Sequence, residues 1–281
     1  MATSVRITVL VENTAHAAGT LAEHGLAYWI EVDGFRVLFD TGQGMALLHN
    51  ACRLGIPLDE ADAIVLSHGH YDHTGGLAEV LRGFCPPQVY LHPAALQAKY
   101  ARSNDGVARQ IGIPVRCRDV LDHWPEQVIT AEQPTRLTAG LVATGYVPRT
   151  TDFEDPGGPF FLDAACTSPD PLDDDQSLFF ETPLGSVVLL GCAHAGVINT
   201  LDYVRTINGG KPIHAAIGGM HLVNASPDRI RQTIEELRRL DVALLAPCHC
   251  TGTAARLALS NAFPARVAEC HVGTPFEFKL G

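Results

Sequence analysis

Apolar residues fall along this chain in two rhythms: short runs of strand length and longer stripes at helical spacing. Val5 to Val11 is apolar enough for a buried strand. Ala27 to Val32 and Phe35 to Phe39 flank Asp33-Gly34, a pair that tolerates positive φ and so predicts a hairpin, closed by Asp40-Thr41-Gly42. Met45 to Leu54 has helical spacing and stops at Gly55. Ala63 to Leu66 reads as a strand, Leu77 to Arg82 as a short helix, Gln88 to Leu91 as a strand, and Ala94 to Ala101 as a helix behind Pro93.

The middle loses this rhythm. Residues 102–175 carry Pro114, Pro125, Pro134, Pro148, Pro156, Pro159, Pro169 and Pro171, and are expected to form an irregular, loop-rich insertion. Its stretch Asp152 to Asp175, acidic and rich in Pro and Gly, is expected to lie as a long loop over a site. Order returns with the strands Ser177 to Glu181 and Ser186 to Leu190, joined by the turn Thr182-Pro183-Leu184-Gly185. A helix over Val197 to Ile207, a strand over Ile213 to Ile217, an amphipathic helix over Pro227 to Leu240 capped by Ser226, and a strand over Val242 to Ala246 follow. A further helix and the strand Pro275 to Leu280 complete the pattern. Strand–helix alternation from both ends, with a hairpin in each half, predicts one α/β domain over 1–281, a four-layer sandwich.

Composition narrows the function classes. The 281 residues are 46% apolar, enough for a full core. A net charge of −11 with 20 Lys and Arg argues against a broad nucleic-acid surface. Arg229, Arg231, Arg238 and Arg239 share their helix with Glu235 and Glu236 and read as a solvated face. No apolar run reaches membrane-spanning length, and Met1 to Arg6 lacks the regions of a signal peptide, so the expectation is a cytoplasmic protein with no membrane partner. In that compartment the 8 scattered cysteines are expected as free thiols or metal neighbours.

The chemistry concentrates in Ser67-His68-Gly69-His70-Tyr71-Asp72-His73-Thr74-Gly75-Gly76, directly after Ala63 to Leu66. Imidazole nitrogen and carboxylate oxygen suit Zn²⁺, Mn²⁺ and Fe²⁺. His68 and His70 are two apart and project to one side of an extended chain, while Asp72 and His73 can turn to a second position. Four such groups exceed what one ion needs from one loop, which predicts two metals. His194, His221 and His249 each follow an apolar strand, the place where α/β folds gather ligands.

The His68–Gly76 loop is the signature of the metallo-β-lactamase superfamily, which the chain resembles; the resemblance implies an αββα sandwich with metals at the edge of two facing sheets. With Leu38-Phe39-Asp40-Thr41-Gly42-Gln43, Gly191-Cys192-Ala193-His194-Ala195-Gly196, Ile217-Gly218-Gly219-Met220-His221-Leu222 and Pro247-Cys248-His249-Cys250-Thr251-Gly252, the set is similar to the branch of dihydropterin-ribofuranosylaminobenzene-phosphate synthase-like hydrolases. In one respect the chain departs from the superfamily. Where most members place a His before the penultimate strand pair and a metal-bridging Asp after it, this chain has Asp174-Asp175-Gln176-Ser177 and Cys192-Ala193-His194. The resemblance thus implies His68, His70 and His194 at one metal, and Asp72, His73 and His249 at the other. Asp175 is left as a bridging group, a ligand of the first metal, or a surface acid. Asp40 is expected to hold an imidazole N–H, His221 to line the pocket or hydrogen-bond a leaving group, and His24 to edge the pocket. Cys192, Cys248 and Cys250 read as packing residues, and His16, His49, His92, His123, His214 and His271 as surface or satisfied core.

The expected function is a dinuclear metal-dependent hydrolase, Zn first with Mn or Fe as alternatives, acting on a small anionic ester such as a phosphodiester. Asp72 would ligate, orient and accept the nucleophile's proton. A lactone or carboxylic ester hydrolase, a redox or oxygen-using metalloprotein, and a metal-retaining binding protein are the competing readings. Homo-oligomerisation is left open.

Overall fold

The computed structural model describes residues 4–82, 86–103, 105–138 and 140–280, so Met1 to Thr3 of the leader reading lie outside it. The first half supplies β1 (Ser4–Val11), β2 (Ala27–Val32), β3 (Phe35–Phe39), α1 (Leu47–Leu54), β4 (Ala63–Val65), α2 (Tyr71–Thr74), α3 (Leu77–Val80), β5 (Gln88–Leu91), β6 (Tyr100–Arg102), β7 (Ala108–Gln110), α4 (Val115–His123) and β8 (Val128–Thr130). The second supplies β9 (Thr135–Thr138), β10 (Leu141–Ala143), β11 (Phe160–Phe161), β12 (Leu178–Thr182), β13 (Gly185–Leu190), α5 (Val197–Ile207), β14 (Ile213–Gly219), α6 (Pro227–Arg239), β15 (Leu244–Cys248), α7 (Thr253–Ala262) and β16 (Pro275–Lys279).

Two large sheets result, in the orders β16-β1-β2-β3-β4-β5-β8 and β15-β14-β13-β12-β10-β9. Val5, Ile7 and Val9 alternate with Arg6 and Thr8, so one face of β1 turns to the second sheet. There they meet Ile30, Phe39, Phe180, Val187, Leu189 and Ile217 in a buried inter-sheet core. The opposite face of the first sheet, with Trp29, Leu38 and Ile64, is covered by Leu47, Leu77 and Leu121 of α1, α3 and α4. Leu201, Leu237 and Leu259 of α5, α6 and α7 cover the second sheet through Val188, Ala216 and Leu245. This is the expected four-layer sandwich. β4 and β13 are buried at every position, as strands covered on both faces must be.

The middle differs from its expectation. Residues 102–175 hold β7, α4, β8, β9, β10 and β11 besides their loops. β8 joins the first sheet beside β5, and β9 and β10 extend the second. These strands are two to four residues long, too short for a period to stand out between prolines. The expected helix Ala94 to Ala101 is a 3₁₀ turn, Pro93–Leu96, running into β6. The solvated reading of Arg229 also fails: its side chain is 5% exposed and pairs with Asp155 at 2.7 Å.

The acids of 152–175 are largely tied down. Glu154 accepts from the amides of Ile198 and Asn199 at the start of α5, and Asp170 and Asp174 pair with the fully buried Lys99 at 2.8 and 2.9 Å. Among the described residues no helix is long and apolar enough to cross a membrane.

Candidate metal centre

The centre gathers at the carboxyl ends of β3, β4, β13, β14 and β15, which deliver Asp40, the 67–73 loop, Cys192 with His194, His221, and His249. Four residues there hold left-handed backbone: Asp40 (φ 60°), Ala193 (54°), His221 (43°) and His249 (49°). Non-glycine residues rarely stay in that region unless their surroundings fix them, and such strain clusters at sites of function. Gly69 cannot carry a side chain, because a Cβ there would stand 2.2 Å from the Ala95 carbonyl oxygen. Its amide donates to Asp174 Oδ2 at 2.7 Å, which fastens the loop between His68 and His70.

The ring nitrogens are arranged to present lone pairs. Asp40 Oδ1 accepts from the Ser67 amide, and its Oδ2 from the Ser67 hydroxyl and from His73 Nδ1, all at 2.7 Å. With its hydrogen given to Asp40, Ser67 Oγ accepts from His68 Nδ1 at 2.9 Å. His194 Nδ1 donates to the Pro156 carbonyl at 2.9 Å, and His249 Nδ1 to Asn13 Oδ1 at 2.9 Å. Each ring places its proton on Nδ1, which leaves Nε2 bare in His68, His73, His194 and His249. His73 Nε2 and His249 Nε2 then face one another at 3.2 Å, and His194 Nε2 is buried with no partner. Two opposed lone pairs repel unless a proton or a cation lies between them, so these donors fit divalent ions.

Two points of convergence stand out. His68 Nε2 lies 2.9 Å from His70 Nδ1, and the rings of His68 and His70 stand 4.8 and 5.0 Å from that of His194. At the second point Asp72 Oδ2 lies 3.5 Å from His249 Nε2 and 3.8 Å from His73 Nε2. His24 Nε2 meets the same oxygen at 3.1 Å from the solvent side.

Electrostatics keep most of these imidazoles neutral. Burial, reinforced by neighbouring rings, pushes His68 and His194 well below the usual histidine range. Burial takes His70 to about 3 and His249 to about 4. His73 is the exception: burial opposes its charge, but Asp40 and Asp72 override it and lift the ring to about 9. Burial likewise opposes charge on Asp72, yet His73, His24 and His249 hold it well below the carboxylate range. Asp40 and Asp72 thus favour positive charge at His73, where a cation would supply it.

The sequence-predicted residues divide as follows. His68, His70 and His194 come together, and so do Asp72, His73 and His249. Asp40 and His24 stand beside them as expected. Asp175 is fully buried, not a surface acid: its Oδ2 accepts from the Ala195 amide at 2.9 Å, its Oδ1 has no partner, and burial lifts the carboxyl to about 7. His221 packs its ring 4.1 Å from that of His194, with Phe160 at 6.0 Å, and its amide donates to Cys250 Sγ. Cys192, taken from sequence as packing, places its Sγ 3.2 Å from His73 Nε2. Lys99 went unnoticed because its partners lie 71 and 75 residues away. Of the histidines read as bland, His16 stacks on His271, His49 meets the Gly19 carbonyl, and His123 packs on Trp124.

Asp40→Asn is expected to weaken metal retention roughly 10- to 100-fold, because the amide cannot accept from both Ser67 and His73 as the carboxylate does. Competition with a chelator, read as residual metal per chain, checks this; retention within twofold of the parent would count against it.

Residues 21–249 match the family described as the metallo-beta-lactamase superfamily. The chain is 32% identical over 256 residues to an uncharacterized protein of Methanocaldococcus jannaschii, covering 91% of this chain and 94% of that protein. It is 27% identical over 286 residues to that organism's 7,8-dihydropterin-6-methyl-4-(beta-D-ribofuranosyl)-aminobenzene-5'-phosphate synthase, covering 98% and 97%. The crystal structure of Tm1679, described as a metal-dependent hydrolase of the beta-lactamase superfamily, superposes with a TM-score of 0.81 at 30% identity, covering 98% and 99%.

Proposed function

The chain belongs to the metallo-beta-lactamase superfamily, and on that premise we propose that it is a hydrolase of small anionic esters, phosphodiesters foremost, working with two divalent transition-metal ions. The observation that carries this reading is the 3.2 Å approach of His73 Nε2 and His249 Nε2, with the His194 lone pair buried nearby. His68, His70 and His194 would hold one ion, and Asp72, His73 and His249 the other, with Zn the first choice for a set this rich in imidazole. Bound there, such ions supply Lewis acidity and activate water near neutral pH.

The chain's own residues supply the rest. Asp40 and Ser67 fix the ring orientations of His68 and His73. Asp72 orients, and its contact with the half-exposed His24 gives a proton a way out to solvent. Phe160 and His221 wall the side beside His194. Two adjacent cations favour a substrate that brings negative charge and stabilise both entering and leaving oxygens. The name of the 27% identical M. jannaschii relative includes a 5'-phosphate, which supports a phosphorylated ligand. It is also a synthase, so bond formation on such a ligand is the second reading. A small substrate is favoured over a polynucleotide by the net charge of −11 and by the burial of the centre.

The test is steady-state kinetics of the Zn- and Mn-loaded protein on bis-p-nitrophenyl phosphate, a lactone and a β-lactam. The phosphodiester is expected to lead by about tenfold or more in kcat/KM, a difference of about 1.4 kcal/mol. A clear preference for the lactone or the lactam in either metal form would overturn the substrate class.

A further inference from the structure

We propose that Arg109 binds a second anionic group of the substrate, a carboxylate or phosphate carried by the part that lies away from the metals; this rests on the hydrolase reading above and narrows its substrate class. Arg109 belongs to a third sheet of three short strands, in the order β11-β6-β7. Phe160 pairs with Ala101 across β11 and β6, and Ala101 with Arg109 across β6 and β7. Residues directly opposite one another project to one face of a sheet, so these three share a face. Phe160 shows where that face looks: its ring stands 5.2 Å from that of His70 and 5.3 Å from that of His194. The neighbouring positions take the other face, where the Arg102 guanidinium lies 4.8 Å from the Phe161 ring centroid.

The shared face makes a groove that leads from the centre to a cation. Adjacent strands are about 4.8 Å apart, so Phe160 and Arg109 spring from backbones roughly 10 Å apart, and between them stands only the methyl group of Ala101. A flat group lying on that floor, with its ester at the metals, carries its far end toward Arg109. The guanidinium is stacked 5.1 Å from the centroid of the Tyr71 ring. Tyr71 stands between His70 and Asp72, and its amide donates to the Ile111 carbonyl at 2.9 Å, which fastens the end of β7 to the metal loop. The nearby Arg116 and Arg118 pair with Glu79 and Asp122. Arg109 is exposed and, among the described residues, pairs with no carboxylate, although the chain has 31 Asp and Glu against 20 Lys and Arg. A planar guanidinium fork matches two oxygens of a carboxylate or a phosphate.

Matched diesters with one leaving group test the assignment in the zinc-loaded protein: p-nitrophenyl phenyl phosphate, and the same molecule with a para-carboxylate or a para-phosphonate on its phenyl ring. The parent is expected to favour at least one charged diester about tenfold in kcat/KM, chiefly through KM, as binding kept from ground state to transition state requires. The larger of the two ratios identifies the anion. Arg109→Ala should bring the ratio to about one and Arg109→Lys should restore part of it. Arg102→Ala, on the opposite face of the same sheet, should keep the parent's ratio. A ratio that survives in Arg109→Ala, or falls equally in Arg102→Ala, overturns the assignment while the hydrolase reading stands. If the parent cleaves none of the diesters, calorimetric binding of phenyl phosphate and para-carboxyphenyl phosphate separates the two readings. A tenfold gap that Arg109→Ala closes keeps the subsite while the hydrolase reading falls, and equal binding overturns the subsite as well.

Discussion

Replacing His68 with alanine is expected to cut kcat/KM about a thousandfold and to deplete metal, whereas His123→Ala changes neither. His68 is fully buried, with Nδ1 held by Ser67 and a bare Nε2 turned toward His70 and His194. Alanine removes a donor that nothing nearby can replace. Activated water and a stabilised oxyanion contribute several kcal/mol, and about 4 kcal/mol corresponds to roughly a thousandfold. His123 is exposed and packs on Trp124's ring, away from the centre, so it serves as the control. Parallel kinetics and metal analysis decide the matter: similar losses in both variants would mean that ligands and bystanders have been wrongly separated.

The second large effect concerns stability. Lys99→Met is expected to cost about 3–5 kcal/mol of unfolding free energy, because it strands buried carboxylates. Lys99 is fully buried, and its ammonium lies 2.8 Å from Asp170 and 2.9 Å from Asp174. Asp174 also receives the Gly69 amide, so the loss should spread to the metal loop. Burial pulls the lysine's pKa down, but Asp174 and Asp170 raise it above the ordinary 10.5. A raised value means that the pair stabilises fully below that ordinary pKa and fails only as pH rises through the folded one. Urea unfolding at neutral pH measures the effect; a difference below about 1 kcal/mol would show the triad to be dispensable.

The two predictions draw on opposite kinds of information. His68 was readable from sequence because the groups that define it lie within six positions and follow a buried run. The same holds for the outer strands and for α5 and α6, whose apolar spacing persists over several turns. Lys99 was unreadable because its partners arrive from a distant segment, and because Ala94 to Ala101 has helical composition but adopts a turn and a strand. Arg229 was misjudged as a solvated group, and the burial of Asp175 was left undecided, for a related reason: charged residues are buried only with partners, and those partners are set by tertiary structure. Cys192 read as packing, as a cysteine beside a strand usually is, and its place against His73 is set by tertiary structure.

The first sheet is sewn shut by the two ends of the described chain, with Ser4 to Thr8 of β1 paired to Pro275–Lys279 of β16. Phe276 and Phe278 then fill the core between the sheets. β1 finds β2 close by in sequence on one side, but its other edge is covered only by β16, at the far end of the described residues. Pairing across so great a separation is slow, and an unpaired edge invites other chains. Until that distant pairing forms, one edge of β1 stands open to other chains, and β16 acts as the latch that closes it.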